Sequence, residues 1–333
     1  MKFIQKYTGG LRRYKLLYAL YNFINQSKLK HNIKLYRKYG LNKSIFSTIS
    51  SKDFEGKTGV PPWLDEPDAK KKLSEANLLR TFDRSIQDQI LKWPDNGFAI
   101  LSNFFNSEAV DQINSEIDLL LSTKKVDFNY TNKKIMFAFR QSETIRKIVY
   151  SPDLLKILTF IIGKEVIPFQ TINFIKGSEQ KVHSDSVHMT TFPLGYLIAV
   201  WIALEDTNLE NGPVFYYPGS HKLPYLLNDG FDNGGSSYQL GPTPYRNYEK
   251  KMGEIIEKSP FEKKTFFAKK GDVLIWHANL AHGGLPVINR ELTRKSMVIH
   301  YYCKDVICYH EITQRPAMFD DYPKTQISIF DND

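Results

Sequence analysis

His183-Ser184-Asp185 is the place in this 333-residue chain where residue types and spacing first suggest chemistry. In an extended segment, residues i and i+2 project to the same side. One imidazole and one carboxylate can therefore hold a single metal ion together. A third ligand must come from elsewhere, and the segment from Gly271 to Gly284 offers His277 and His282. Two histidines and one carboxylate on one face of an ion leave three positions open, the ligand set of non-heme Fe(II) oxygenases. Arg294 comes twelve residues after His282 and opens an alternating stretch, with Ser296 two residues on. An inward arginine with a neighbouring hydroxyl can grip a carboxylate by charge-assisted hydrogen bonds. A dicarboxylate cosubstrate needs such a grip while its keto-acid end chelates the metal.

Each of these residues also has a plainer reading. His183 and Asp185 fit the polar face of a surface strand, and a histidine two residues from an aspartate is common by chance. His277 directly follows Trp276, nearer a strand interior than His282, and rivals it as third ligand. His188 either faces a substrate or solvates a loop. His221 follows Pro218-Gly219-Ser220 and reads as part of a structural turn. His300 lies six residues past Arg294, where the same side is possible, but reads first as a core histidine.

The surrounding elements must position these groups. Phe98 to Leu101 reads as a short strand. Ser107 to Leu121 is a helix with Val110, Ile113, Ile117 and Leu120 as its apolar stripe and Ser107 as a cap. Pro152 to Ile162 is another, with Ser151 at its start and Gly163 at its stop. From Val166 onward the pattern turns to strands: 166–175, 214–217, 265–268, 273–277 and 296–302. The near-continuous apolar run from Leu194 to Leu204 suits a strand buried on both faces. Residues 222–262 are polar and rich in Gly, Asn and Pro, as in a long insertion or lid. Helices followed by many short strands indicate an α+β chain with a mainly β core, a barrel or jelly roll.

Charge is concentrated at one end. Residues 1–50 hold eleven Lys and Arg and no Asp or Glu, against a net charge of +9 for the whole chain. The body is nearly neutral, and the basicity belongs to an N-terminal arm. Leu11, Tyr14, Leu17, Tyr18, Tyr21 and Ile24 recur there at helical spacing. Such a helix can lie on an anionic membrane surface, or pack its apolar face on the body. Nothing in the body resembles a nucleic-acid module, so no nucleic-acid partner is expected. The arm does not read as a signal peptide, because charge interrupts its apolar run. No run of 18 apolar residues is present, so no spanning helix is expected. Two cysteines, Cys303 and Cys308, exclude a disulfide scaffold or a cysteine-based metal cluster. The composition suits a cytoplasmic protein, peripheral at a membrane surface if the arm binds one.

Taken in order, several segments resemble the phytanoyl-CoA dioxygenase (PhyH) family of Fe(II)/2-oxoglutarate-dependent oxygenases over about residues 80–305. They are Asn96-Gly97-Phe98, His183-Ser184-Asp185, Trp201, Glu210-Asn211-Gly212-Pro213, Pro218-Gly219-Ser220-His221-Lys222, Gly271-Asp272-Val273, His282-Gly283 and Arg294. The resemblance implies a double-stranded β-helix, a cupin-like jelly roll with flanking helices. It implies His183, Asp185 and His282 as iron ligands, and Arg294 with Ser296 as partners of 2-oxoglutarate. Trp201 would line the cosubstrate pocket. Arg290 replaces Arg294 if the stretch after His282, about one residue longer than the family's usual spacing, carries no small bulge. The implied cofactor is Fe(II), with 2-oxoglutarate and O2 as cosubstrates. The implied reaction is hydroxylation of an unactivated C–H bond of a small or lipid-like substrate, releasing succinate and CO2. An aspartate at the carboxylate position argues against halogenation. The expected organisation is a basic extension and linker (1–79), an oxygenase domain (80–305) and a C-terminal tail (306–333). A non-catalytic β-helix, docked by its basic arm to a membrane or acidic partner, is the other class of reading.

Overall fold

The computed structural model describes residues 13–129, 131–236 and 238–320. The first twelve residues of the basic arm, with Leu11, and residues 321–333 of the tail lie outside the described residues. The chain is a mixed helix-and-sheet protein whose sheets are antiparallel. Its helices are α1 Lys15–Ile24, α2 Asn32–Lys38, α3 Ala69–Glu75, α4 Arg84–Leu91, α5 Trp93–Asn96, α6 Ser107–Ser122, α7 Glu143–Val149, α8 Pro152–Ile162 and α9 Pro244–Glu257. Its strands are β1 Phe98–Leu101, β2 Ile135–Met136, β3 Val166–Phe174, β4 Thr190–Phe192, β5 Leu197–Ala203, β6 Val214–Tyr216, β7 Lys264–Phe266, β8 Val273–His277, β9 His282–Gly284, β10 Ser296–Cys303, β11 Ile307–His310 and β12 Arg315–Pro316.

The six-stranded sheet runs β1-β8-β5-β10-β3-β2. β5 lies in its middle and is buried along its whole length, as a continuous apolar run requires. Alternation along the strands divides the side chains between two layers. Ile198, Val200, Ile202, Val273, Ile275, Met297 and Ile299 face the helices and meet Ile113, Ile117, Leu154 and Leu158. Trp201, Leu274, Trp276 and Val298 face the other way, toward Val214, Tyr216 and Phe266 of the three-stranded sheet β7-β6-β9. A third sheet, β12-β11-β4, closes one side.

Helix ends follow local chemistry, with two corrections, the first being that Ser151 precedes α8 but its side chain makes no capping hydrogen bond. α6 is capped by Asn106, whose side chain accepts from the Ala109 amide, and not by Ser107, which is the first helical residue. α8 stops at Gly163 with φ +75°, and Trp63 packs where a side chain would stand. Two further expectations change. Residues 222–262 are not all loop: α9 buries Tyr248, Met252 and Ile256 against Val187 and Ala281. The stretch ahead of Arg294 is a loop, and the register irregularity of β10 comes later, between His300 and Tyr301.

The arm's apolar stripe, which could pack on the body or lie on a membrane surface, is only partly covered. α1 turns Tyr18 and Asn22 inward. Asn22 is 1% exposed and donates to the Phe46 carbonyl at 3.1 Å, while Leu17, Tyr21 and Ile24 stay exposed.

Ile202 belongs to the layer between the main sheet and the helices and is fully buried. Ile202→Ala should lower unfolding free energy by about 2–5 kcal/mol in urea titration, because packed neighbours cannot collapse into the space.

Candidate metal centre

His183 and His282 come from distant parts of the chain and meet as a single antiparallel bridge. Each donates its amide to the other's carbonyl at 2.9 Å. The approach depends on small residues. A side chain at Gly283 would lie 2.5 Å from the Phe215 ring and 2.7 Å from the Gln180 carbonyl. Ser184 is extended, with φ −115° and ψ 149°. Its neighbours His183 and Asp185 therefore share a side, and its own side chain turns away to Tyr248 and Ser186 at 3.0 and 2.8 Å.

The ligand atoms of His183, Asp185 and His282 lie within 4.8 Å of one another, and all three residues are buried. His183 Nδ1 faces the Lys181 carbonyl at 2.8 Å, and His282 Nδ1 faces the Leu280 carbonyl at 2.9 Å. A carbonyl oxygen can only accept, so each Nδ1 carries a proton and each Nε2 is the atom turned to the centre, the one that offers a lone pair in the neutral ring. Those Nε2 atoms lie 3.9 and 3.8 Å from the same oxygen, Asp185 Oδ1. The other oxygen, Oδ2, accepts from Trp276 Nε1 at 2.7 Å and lies 3.4 Å from His300 Nε2. One carboxylate oxygen is thus held by the sheet, and the other points at the gap between two imidazole lone pairs. Burial disfavours the Asp185 carboxylate, but His282, His300 and His183 more than offset it and hold its pKa well below the usual range. Burial, aided by the neighbouring His282, likewise keeps His183 neutral by pushing its pKa well down. A neutral His183 and an ionised Asp185 are protonation states that suit a divalent metal.

The centre opens into a cavity of about 1130 Å³ that also exposes Trp201, Arg294 and His300. Arg294 is 1% exposed, donates to Ser296 Oγ at 2.7 Å, and lies 5.6 Å from the centres of the Phe174 and Trp201 rings. Burial pushes its pKa down to about 10, so it stays charged at neutral pH. Among the described residues no carboxylate lies within ion-pair distance of it, and its Nε has no hydrogen-bond partner.

The remaining candidates separate cleanly. His277 points away from the centre and pairs with Asp65 at 3.0 Å, which removes it as third ligand. Arg290 is bound to Glu179 at the surface, at 2.9 Å. His221 packs beside Gly97 and His277 in the turn where Ser220 accepts from the Ala281 amide. His188 lines the cavity between Tyr245 and His310, with ring centres 4.8 and 5.4 Å away. His300, read as a core histidine, faces Asp185 instead. Sequence reasoning missed two residues. Trp276 is placed by the sequence only within the strand 273–277, although it shares inward parity with Leu274 on β8. Lys134, from an unremarkable Lys-Lys turn, reaches the cavity, where burial lowers its pKa.

The model of the phytanoyl-CoA dioxygenase (PhyH) family matches residues 93–296, which contain every residue of this centre apart from His300. The chain belongs to the phytanoyl-CoA dioxygenase family. A zebrafish (Danio rerio) phytanoyl-CoA dioxygenase domain-containing protein 1 is 27% identical over 144 residues, 41% of this chain and 45% of that protein. The mouse (Mus musculus) protein of the same name is 34% identical over 106 residues, 30% of this chain and 36% of its own length. The chain therefore spans less than half of these relatives. Among solved structures, the non-heme alpha-ketoglutarate-dependent carbocyclase SnoK from nogalamycin biosynthesis aligns with TM-score 0.57 and 14% identity, over 73% of this chain and 96% of its own. The epimerase SnoN from the same biosynthesis aligns with TM-score 0.52 and 18% identity, over 68% and 86%. At these identities the likeness is one of fold.

In this family member, Trp276 orients a ligand without binding metal itself. Trp276→Phe should weaken divalent-metal affinity by about 10- to 100-fold in anaerobic titration calorimetry. His277→Gln should leave that affinity unchanged.

Proposed function

We propose that the chain is an Fe(II)/2-oxoglutarate-dependent oxygenase that hydroxylates an unactivated C–H bond of a small or lipid-like substrate. The observation that carries this reading is Arg294, a buried guanidinium without a carboxylate, facing the same cavity as the metal triad. A buried charge without a partner costs several kcal/mol. A dicarboxylate that reaches both the metal and Arg294 supplies that partner. Cytoplasmic placement is part of this proposal.

The donor set fits Fe(II): two imidazole nitrogens and one carboxylate oxygen, all from one side. When bound, Fe(II) with 2-oxoglutarate supplies O2 activation coupled to oxidative decarboxylation, ending in oxidation of a substrate C–H bond and release of succinate and CO2. The chain's own residues do the positioning. His183, Asp185 and His282 hold the ion and leave its cavity side free. Trp276 keeps Asp185 aimed, with His300 facing the same oxygen. Arg294 and Ser296 take the distal carboxylate of 2-oxoglutarate, and Trp201 and Phe174 wall it from water, where a charge-assisted pair is strongest. Read this way, the six-stranded sheet and the facing β7-β6-β9 sheet are the two halves of a double-stranded β-helix, with the metal between them at one end. The fold likeness to SnoK supports that reading.

The test is anaerobic addition of Fe(II) and 2-oxoglutarate, watching for the weak visible metal-to-ligand charge-transfer band. Wild type should develop the band, and His183→Ala should not. Arg294→Ala should require about 30-fold or more 2-oxoglutarate to reach it, from losing one partner of a buried charge pair. Wild type that binds neither iron nor 2-oxoglutarate would favour a non-catalytic β-helix binding module.

A further inference from the structure

α1 is built the wrong way round for a helix that simply covers a protein surface. Leu16, Leu20, Phe23 and Ile24 stand at i, i+4, i+7 and i+8, the spacing of one helical face. That face points to solvent, apart from an edge contact of Phe23 with the Phe46 ring at 5.3 Å: the four residues are 79, 56, 49 and 72% exposed. The opposite face carries Tyr18 and Asn22, and Asn22 is the buried one. A helix in water normally presents the reverse arrangement, and a contiguous apolar patch of this kind marks an interaction site.

The helix is nevertheless held in place. The Lys15 amide donates to the Tyr238 carbonyl at 3.0 Å, and the Leu240 amide donates to the Arg13 carbonyl at 2.8 Å. The Arg315 guanidinium lies 4.8 Å from the centre of the Tyr18 ring. The apolar face is thus displayed by a docked helix.

The surroundings identify its occupant. Residues 1–50 carry eleven cationic side chains and no acidic one. Lys30, Lys34, Arg37 and Lys38 follow α1 and are exposed. A second copy of the chain would bring the same cations against themselves in a two-fold contact, whereas an anionic bilayer neutralises them and takes up the leucines. Among the described residues no helix is long and apolar enough to cross a membrane, so the contact is peripheral. Tyr18 and Tyr21 of the same helix line the cavity that contains the metal triad.

We propose that α1 inserts its Leu16–Leu20–Phe23–Ile24 face into an anionic lipid surface, holding the cavity that Tyr18 and Tyr21 line beside that surface. If the oxygenase reading holds, on which this consequence rests, the substrate is an amphiphile drawn from that surface.

The test is co-sedimentation of the full-length protein with vesicles of phosphatidylcholine alone and of phosphatidylcholine with phosphatidylserine. The protein should sediment with the anionic vesicles, much less with the neutral ones, and less as salt is raised. Leu16→Ser/Leu20→Ser/Ile24→Ser should lower the affinity by about tenfold or more, with an unchanged urea midpoint showing that the fold is intact. Wild type that stays in the supernatant with both vesicles, or a triple variant that sediments like wild type, would overturn the proposal. So would a concentration-dependent dimer that the triple variant abolishes, which would give the face to a second copy. Vesicle binding does not need iron, so it survives failure of the charge-transfer test, and that band survives failure of vesicle binding.

Discussion

The site is organised around one carboxylate. Asp185 is buried, and its two oxygens do different work: Oδ2 is tied to Trp276 and faces His300, and Oδ1 faces the lone pairs of His183 and His282. An isolated carboxylate in that position would be protonated by burial alone. An indole donor holds one of its oxygens, and three imidazoles surround it. They come from β8, β9, β10 and the segment before β4, so the sheet must be assembled before the carboxylate has its partners. Metal affinity and sheet integrity are therefore coupled through this group.

The main sheet answers that demand by separating its two faces. Its outer layer is aliphatic and anchored on α6 and α8, where rigidity comes from close packing. Its inner layer mixes Trp201, Trp276 and Phe174 with His300, Ser296 and Arg294. Aromatic side chains suit that layer because they bury a large apolar area while Trp276 still donates a hydrogen bond. Arg294 is tolerated there because two rings flank it and Ser296 accepts one of its donors. Its remaining donors are the polar demand that an anion in the cavity would meet.

The far end of the cavity belongs to other parts of the chain. α1 from the arm, Tyr309 and His310 from β11, and Pro244 at the start of α9 bring a second set of side chains to the cavity. None of them belongs to the ordered motifs. The triad and the far wall of the cavity thus come from separate segments.

Much of this was legible in the amino-acid sequence. The extended His183-Ser184-Asp185 unit, the two-sided burial of β5, the strand opened by Arg294 and Ser296, and α8 with its Gly163 stop all follow from periodicity and local backbone chemistry. Those are short-range properties, carried by neighbours within a few residues. What tertiary structure alone decided is long-range. His282 rather than His277 meets His183, because the bridge between them turns one imidazole to the centre and leaves the other to Asp65, 212 residues earlier in the chain. His300 faces Asp185, and Trp276 holds it, because strand register places β8 and β10 on either side of β5. The arm's stripe predicted an amphipathic helix but not which face would be covered. That choice was made by Phe46 and Arg315, partners of Asn22 and Tyr18 that no local pattern reveals.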